Sequence, residues 1–373
     1  MRRPKSSSKK RAGGELRPTS GARPDAELDA ELDATDALLE AAGLVRRRRG
    51  AAGITQRMRM ERAEPQELAV RAAEPETAAN GVRWLAVPGW GLTGPKKLSW
   101  LWHGFSTRQG GLSRVYCAED APGELNLGFT EADEREIVET NRRLFVEAVT
   151  GDGRTPLVTL RQFHSNLVVR VGREDAARAV PRKADGAMTD EPGVLVAVQT
   201  ADCLPVLVAD RKQRAVAAFH AGWRGTVKRI VELGVGRMRA EFGSKPEDLT
   251  AAIGPGVGAC CYAVGEEVLS AFESQFAYGR ELFREVYDAD PVRTKYPMLF
   301  LTQRAPGHSP IGPGLHVDLT EANRRQLLDA GLKPEAIRAT GGCTMCQQEL
   351  FFSHRASKGH AGRMLSGIGI RPR

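Results

Sequence analysis

The chain has 373 residues, 41% of them hydrophobic and 6% aromatic, which excludes fibrous and collagen-like classes and predicts one large domain with an appendage. Its formal net charge of +8 does not indicate nucleic-acid binding, because basic residues cluster at 2–11 and 46–49 while the remaining chain mixes both signs. A membrane span is not expected either, since the longest apolar stretch, 194–208, contains Gln199 and Asp202 and is too short for a ~30 Å hydrocarbon layer.

Residues 1–82 differ in composition from the rest: they are rich in Ala, Arg, Glu, Pro and Gly and contain no aromatic residue. Such a segment cannot bury enough apolar surface to form a core, so we predict a disordered, basic, low-complexity extension. Its first thirty residues are hydrophilic and do not resemble a secretory signal, which indicates a cytoplasmic protein. In that setting the six cysteines point to free thiols, catalysis or metal binding instead of disulfides.

A tryptophan-rich stretch after Val82 marks the start of a folded domain that we assign to residues 83–373. Short apolar runs typical of buried strands occupy 194–198, 204–208 and 215–219. Helical spacing predicts helices over 136–148, over 226–242 with Thr226 as N-cap, and over 321–330 after Thr320. This mixture predicts an α+β fold, a single domain of mixed β-sheets flanked by helices.

Cys203 and His220 flank two strand-like runs joined by the polar segment 210–213, so a β-hairpin is the simplest interpretation. If the turn is centred between Arg211 and Lys212, Cys203 lies directly opposite His220. Opposite residues have Cβ atoms about 4.5–5.5 Å apart, which suits a shared metal ion or a hydrogen-bonded thiol and imidazole. A one-residue bulge would spoil this pairing.

Polar residues lie close to this pair in the sequence. Asp202 is a carboxylate inside an apolar run, where burial without a partner is costly, so we expect it to have polar partners. Arg224 lies in the glycine-punctuated connection 221–226, whose backbone N–H groups could hold an anion at the start of a helix. The alternative is a tight strand-to-helix turn with Arg224 on the surface.

The other cysteines give weaker signals. Cys260 and Cys261 are vicinal and would point to opposite faces of an extended segment, so we do not expect them to share one ion. Cys343 and Cys346 form a single C-x-x-C with no second pair at zinc-ribbon spacing, which leaves metal or redox chemistry open.

Beyond these local signals, an ordered series of motifs extends over residues 83–370. In chain order they include His103-Gly104-Phe105-Ser106-Thr107-Arg108, Leu125-Asn126-Leu127-Gly128, Asn141-Arg142, Gln162-Phe163-His164-Ser165, Asp185-Gly186, Thr200-Ala201-Asp202-Cys203-Leu204-Pro205, His220-Ala221-Gly222-Trp223-Arg224-Gly225-Thr226, Ile253-Gly254-Pro255, Cys260-Cys261-Tyr262, Phe351-Phe352-Ser353 and Gly362-Arg363. On these residues the chain resembles the YfiH-like family, also called laccase-domain or polyphenol oxidase-like proteins and, in some bacteria, peptidoglycan editing factor.

This resemblance implies a zinc-dependent enzyme that phosphorolyses purine nucleosides and also deaminates adenosine. The implied metal ligands are His164, Cys203 and His220. The implied substrates are phosphate and a nucleoside such as adenosine, inosine, guanosine or methylthioadenosine. Copper, which the laccase name implies, is the less favoured metal, because only seven histidines occur and none has H-x-H spacing.

The implied reaction also needs an anion site and a proton carrier. Arg108, Arg224 and Arg355 are the candidates for binding phosphate. Asp202 could carry a proton or orient the ring of His220, and we favour the second role. Where the family has Tyr and two Arg after Phe-Phe-Ser, this chain has His354-Arg355-Ala356, so only Arg355 can supply a guanidinium there.

Two other functional classes stay open at this stage. A metal-free hydrolase would use Cys203 as its nucleophile and His220 as the base. A binding or editing factor would act on peptidoglycan precursors or a partner protein without nucleoside turnover.

Overall fold

The computed structural model describes residues 62–63, 72–90, 98–286 and 314–372, all within one compact unit that spans residues 55–373. Most of the predicted extension, residues 1–82, lies outside the described residues. The predicted boundary at residue 83 stays a prediction; a strand at Glu76–Thr77 lies just before it and pairs with Arg83–Leu85. None of the helices in the described ranges is long and apolar enough to span a membrane.

The described residues form seventeen strands and six α-helices, with three short 3-10 helices between them. The strands are β1 (Arg62–Ala63), β2 (Glu76–Thr77), β3 (Arg83–Leu85), β4 (Leu101–Ser106), β5 (Gln109–Ser113), β6 (Leu157–Val158), β7 (Val168–Arg170), β8 (Gly186–Thr189), β9 (Leu195–Thr200), β10 (Leu204–Asp210), β11 (Val216–Ala221), β12 (Leu249–Ile253), β13 (Ala263–Val264), β14 (Phe283–Val286), β15 (Gly314–Val317), β16 (Ile337–Ala339) and β17 (Met364–Ile370). The helices are α1 (Arg135–Thr150), α2 (Arg173–Ala176), α3 (Trp223–Val227), α4 (Ile230–Phe242), α5 (Glu266–Gln275) and α6 (Leu319–Asp329).

Most of these strands belong to three sheets. One six-stranded sheet has the order β16-β12-β10-β11-β8-β7, a second has the order β2-β3-β4-β17-β9-β6, and a four-stranded sheet has the order β1-β14-β15-β13. Each mixes pairings: β12 and β16 are parallel while β10 and β11 are antiparallel, and β6 and β9 are parallel while β9 and β17 are antiparallel. Together with the flanking helices, this confirms the predicted α+β fold of mixed sheets.

The two six-stranded sheets pack against each other, and helices cover their outer faces. Leu207 of β10 points into the core shared by the two sheets, whereas Val206 and Val208 point into the core formed with α4, α5 and α6. On the opposite outer face, α1 packs against the second sheet through buried residues such as Phe145. Strands buried on both faces are apolar throughout, which is why the sequence shows continuous runs there instead of alternation.

The predicted central strands are confirmed as β9, β10 and β11, and the first predicted helix is confirmed as α1. The predicted helix over 226–242 is wrong in its first part, because the chain forms two helices, α3 and α4, with Arg229 in a left-handed conformation between them (φ 61°). Thr226 is therefore not an N-cap; it lies inside α3, where its hydroxyl contacts the Asn323 amide.

The last predicted helix is confirmed as α6, but it begins earlier than expected. Asp318, not Thr320, is the N-cap, since its carboxylate accepts a 2.9 Å hydrogen bond from the backbone N–H of Glu321. An aspartate three residues before the donor satisfies one of the unpaired N–H groups of the first turn.

The predicted hairpin is present, but the predicted pairing of Cys203 with His220 is wrong. Asp210 pairs with Ala215 through the backbone, leaving a four-residue loop, and His220 lies opposite Pro205. The carboxylate of Asp210 accepts hydrogen bonds from two backbone N–H groups of that loop, which stabilises the longer turn. Because the register differs by two residues, the alternation of faces is kept, and Cys203 still lies on the side toward which His220 points.

Candidate metal centre

Three side chains that are distant in the sequence converge next to the end of the β10–β11 hairpin. His164 lies in the connection from β6 to β7, Cys203 directly precedes β10, and His220 lies in β11. Their potential ligand atoms lie within 4.8 Å of one another, with Sγ of Cys203 3.8 Å from Nε2 of His164. The two imidazole centroids are 5.0 Å apart. The structure therefore brings together the thiol and imidazole that the sequence paired and the second imidazole, His164, that the family resemblance implied.

Asp185, at the residue before β8, fixes the orientation of two of these groups. Its Oδ1 lies 2.8 Å from Nδ1 of His220, so the other ring nitrogen, Nε2, is left for Cys203 or a metal. The same carboxylate accepts hydrogen bonds from the backbone N–H groups of Phe163, His164 and Ser165 and from the Ser165 hydroxyl. A buried carboxylate that orients a histidine in this way is typical of metal-binding histidines.

Charges in the cluster shift the pKa values of Cys203 and His220 in opposite directions. Burial raises the pKa of the Cys203 thiol, but the positive charge of His220 and hydrogen bonds to both imidazoles lower it overall to about 6. Burial lowers the pKa of His220, but the negative charge of Cys203 and the hydrogen bond to Asp185 raise it overall to about 10. The site thus favours a thiolate, which is the form of cysteine that binds metals and attacks electrophiles.

The backbone around the cluster allows the side chains of His164 and Cys203 to pack closely against it. His164 and Asp202 both have positive φ, 61° and 96°, which non-glycine residues rarely adopt and which is concentrated at functional sites. A Cβ atom on Gly222 would lie 2.8 Å from Sγ of Cys203 and 3.2 Å from Cδ2 of His164. Gly222 therefore leaves the space that the thiol and imidazole occupy.

The donor set fits a zinc ion, because two imidazoles and one thiolate are ligands that zinc prefers and three protein ligands characterise its catalytic sites. A blue multicopper centre would need more histidines than the two that this cluster contains. The assignment of His164, Cys203 and His220 as zinc ligands remains a proposal.

Asp202 has different partners from those expected. The expected hydrogen bond to His220 is wrong, because Asp185 holds that ring. The carboxylate of Asp202 instead accepts 2.7 Å hydrogen bonds from the Thr344 hydroxyl and from the backbone N–H of Arg355. Asp202 therefore joins the segment before β10 to the loop that follows β16.

The three candidate arginines differ in their surroundings. Arg108 forms a 2.6 Å ion pair with Glu124 and donates to the Gln348 carbonyl, so its charge is already compensated. Arg355 packs over the Tyr262 ring, 4.8 Å from its centroid. Arg224 packs over the Trp223 ring at the start of α3. Arg224 and Arg355 both lie close enough to lower the pKa of Tyr262, which burial and the nearby Cys203 raise overall.

Sequence reasoning missed three residues of this site as functional candidates. Asp185 appeared only within an Asp-Gly motif, and its role as a hydrogen-bond acceptor for five donors depends on long-range contacts. Arg363 is mostly buried; burial lowers its pKa, and the negative charges of nearby Asp202 and Cys203 oppose that shift. Tyr262 follows the vicinal cysteines and lies beside Arg355. The motif that contains each residue was the only local signal.

The remaining cysteines form a second cluster, which corrects another expectation. Cys260 and Cys261 do not point apart, because residues 258–262 form a turn: the N–H groups of Cys261 and Tyr262 both donate to the Gly258 carbonyl at 2.9 Å. Their sulfurs meet those of Cys343 and Cys346, and all four lie within 4.8 Å of one another.

A separate cavity of about 420 Å³ lies between α1 and the segment after α2. Four arginines line it, Arg135, Arg142, Arg143 and Arg178, and none of the three candidate metal ligands does. The candidate active site lies at the metal centre and not at this cavity, because the thiol and the two imidazoles converge there and none of them lines the cavity.

Comparison with known proteins identifies relatives of this chain. The family model described as multi-copper polyphenol oxidoreductase laccase matches residues 102–371. A purine nucleoside phosphorylase of Bacteroides thetaiotaomicron is 33% identical over 72% of this chain and 91% of its own length. Purine nucleoside phosphorylase YlmD of Geobacillus stearothermophilus is 34% identical over 72% of this chain and 89% of that protein.

Solved structures show the same fold. The crystal structure of YlmD from Geobacillus stearothermophilus has 30% sequence identity and a TM-score of 0.62, covering 80% of this chain and 99% of that chain. The crystal structure of the hypothetical protein YfiH from Bacillus licheniformis has 28% identity and a TM-score of 0.62, covering 76% of this chain and all of that one. The chain therefore belongs to the laccase-domain family that includes YfiH and YlmD.

Proposed function

We propose that this chain is a zinc-dependent purine nucleoside phosphorylase that also deaminates adenosine. The observation that carries the proposal is the convergence of His164, Cys203 and His220, with Asp185 orienting His220. The relatives named purine nucleoside phosphorylases support the reaction class, at 33% and 34% identity over 72% of this chain.

The chain's own residues prepare the site for zinc. Asp185 keeps Nδ1 of His220 occupied, so that Nε2 is the ligand atom, and the same carboxylate holds the backbone on both sides of His164. When bound at such a three-ligand site, zinc supplies a Lewis acid and lowers the pKa of a water molecule to near 7. His164 and Cys203 are only half-buried, so the coordination position that the three ligands leave open would be accessible to a substrate.

Phosphorolysis requires a phosphate oxygen to attack the anomeric carbon of the ribose while the bond to the purine breaks. Arg224 and Arg355 are the candidates for holding the phosphate. Both lie close to Tyr262, and Tyr262 in turn lies close to Cys203. Arg108 is the weaker candidate because of its ion pair with Glu124.

Asp202 is the candidate for moving a proton to or from the purine. Its two oxygens each accept one hydrogen bond in this structure, so lone pairs remain for a substrate proton. For adenosine deamination, the same site must place a water molecule next to the purine carbon that bears the amino group. One site can serve both reactions because each acts on a purine nucleoside.

The test of this proposal is product analysis with purified protein. Inosine and phosphate should give hypoxanthine and ribose 1-phosphate, and adenosine without phosphate should give inosine. Cys203→Ala should abolish both reactions, whereas Cys117→Ser, which changes a cysteine outside both clusters, should retain them. If the unmodified protein forms none of these products, the proposed function is wrong and a binding or editing role becomes the better account.

A second candidate, a metal-free cysteine hydrolase, is favoured by one specific arrangement. Asp185, His220 and Cys203 form a carboxylate–imidazole–thiolate series, which resembles the nucleophile, base and orienting group of cysteine hydrolases. The two candidates differ in their response to chelation. Hydrolysis that survives metal removal but is lost on alkylation of Cys203 would support the hydrolase.

A further inference from the structure

The four-cysteine cluster, consisting of Cys260, Cys261, Cys343 and Cys346, is a separate group from the candidate metal centre. Two of its members lie in the turn after β12 and two lie in the loop after β16. Sγ of Cys346 is 3.5 Å from Sγ of Cys260 and 3.4 Å from Sγ of Cys261. The cluster therefore joins two loops that are more than eighty residues apart in the sequence.

The backbone holds these loops in position around the sulfurs. Gly256 forms an isolated parallel bridge with Cys343, and the N–H of Thr344 donates to the Gly256 carbonyl at 3.0 Å. The N–H of Gly258 donates to Sγ of Cys343 at 3.3 Å, an interaction that stabilises negative charge on sulfur. A Cβ on Gly258 would lie 3.2 Å from both Sγ of Cys260 and Cβ of Cys343, so the turn fits closely around the thiols.

The distances fit a single tetrahedral ion. Zn–S bonds of about 2.3 Å place the four sulfurs of a tetrahedron about 3.8 Å apart. The observed separations begin at 3.4 Å and stay within 4.8 Å. An iron–sulfur cluster would hold its thiolates farther apart, because several metal ions lie between them.

A disulfide is a poorer account of the same cluster. All four cysteines are free, and Cys346 is about equally distant from Cys260 and Cys261, so no single partner is selected. Any one disulfide would leave two further thiols in contact with it. Four convergent sulfurs, two of them buried, are better explained by a shared ion.

We propose that the four-cysteine cluster binds one zinc ion as a closed structural site. Four thiolates fill the coordination of zinc, so no position is left for a substrate, and binding releases the thiol protons to solvent. Zinc binding at this cluster is independent of nucleoside turnover.

A zinc ion in the four-cysteine cluster would also fix the residues next to the cysteines. Tyr262 follows Cys261 and packs against Arg355, and Thr344 follows Cys343 and donates to Asp202. A zinc ion that joins the two loops therefore positions the hydrogen-bond donor of Asp202 and the aromatic partner of Arg355. The structural zinc would in this way stabilise the part of the candidate active site that contains Asp202 and Arg355.

The experiment uses Cys203→Ala protein, in which the candidate catalytic zinc is removed and the four-cysteine cluster is intact. Metal analysis by mass spectrometry should find about one zinc per chain, and X-ray absorption should show only sulfur neighbours at about 2.3 Å. Adding Cys261→Ser and Cys346→Ser should remove that zinc, whereas adding Cys117→Ser should retain it.

Folded Cys203→Ala protein that contains no zinc, or that contains iron instead, would overturn the inference, as would a disulfide among the four cysteines. Because the zinc is counted in a variant without the catalytic cysteine, failure of the nucleoside assay leaves this result unaffected. If the triple variant does not fold, the X-ray absorption spectrum of Cys203→Ala alone decides, since nitrogen or oxygen neighbours would exclude the four-cysteine site.

Discussion

Asp185 links the two histidines of the candidate metal centre. One oxygen contacts His220 and the backbone of His164, and the other accepts hydrogen bonds from Ser165. The hydrogen bonds and the nearby His220 keep the pKa of Asp185 below its ordinary value, although burial alone would raise it. A negative carboxylate at this position favours one ring orientation of His220.

Replacing this carboxylate with an amide should weaken zinc binding. We expect Asp185→Asn to lower zinc affinity about 10- to 100-fold, because the amide loses the charge and turns an N–H group toward backbone donors. Competition with a chromophoric chelator measures the affinity. Asp190→Asn is the matched control, since Asp190 forms a partly exposed ion pair with Arg170, and it should leave the affinity unchanged. Equal affinities for the two variants would contradict the role of Asp185.

Gly222 offers a second test of the candidate metal centre, one that depends on steric fit instead of charge. Gly222→Ala would place a methyl group 2.8 Å from Sγ of Cys203, so the thiol must move, and zinc binding at His164, Cys203 and His220 should be lost while zinc at the four-cysteine cluster is retained. Overpacking of this kind costs about 1–3 kcal/mol. Zinc content and the free energy of unfolding are the measurements. Gly236→Ala is the control, because nothing lies within 4 Å of a Cβ at that helical position; unchanged zinc content in Gly222→Ala would refute the steric argument.

The low pKa of Cys203 makes a prediction for metal-depleted protein. Alkylation of Cys203 by iodoacetamide, followed by peptide mass spectrometry, should rise with pH to a plateau with a midpoint near pH 6. The rate should fall below that pH because the thiol becomes protonated. His220→Asn removes the positive charge of His220 and leaves only the interactions with His164 to oppose burial, so the midpoint should rise from about pH 6 toward the ordinary cysteine value of about 8.5. A midpoint that does not change would show that His220 does not stabilise the thiolate.

At the scale of single elements, the three central strands and α1 were predictable, whereas the starts of α4 and α6 were not. Residues 195–198 of β9, 204–209 of β10 and 216–219 of β11 form continuous apolar runs because both faces of these strands are buried, and that pattern is visible without tertiary information. The break at Arg229 has no marker such as Gly or Pro, so helical spacing alone predicted one continuous helix.

The register of the β10–β11 hairpin was also not predictable from the sequence pattern alone. Asp210 captures two N–H groups of the loop and lengthens the turn, which shifts His220 from Cys203 to Pro205. A two-residue shift keeps the side of the strand, so the functional pairing survived an error in the local geometry. A shift by one residue would have turned His220 away from the site.

The N-cap of α6 can be tested directly. Asp318→Ala should lower the free energy of unfolding by about 1 kcal/mol, because it removes the hydrogen bond to the backbone N–H of Glu321. Thr320→Ala should change it by less than about 0.5 kcal/mol. Denaturant unfolding measures both. A larger loss for Thr320→Ala than for Asp318→Ala would contradict the observed cap.

At the scale of the whole molecule, the packed sheets place remote segments around one site. The connection between β6 and β7, the start of β10 and the end of β11 contribute the three candidate ligands. The loops after β12 and β16 contribute Tyr262, Thr344 and Arg355. The ordered motifs predicted this grouping of ligands, whereas no spacing in the sequence could show that Asp185 reaches His220 or that four cysteines meet.

The central claim is that a zinc ion on His164, Cys203 and His220 is required for purine nucleoside phosphorolysis. The most direct measurement is the rate of hypoxanthine release from inosine and phosphate, followed as zinc is returned to metal-depleted protein. We expect a rate near background without metal that rises to its full value as zinc is added, with no recovery in Cys203→Ala. A full rate in protein from which all metal has been removed would contradict the account.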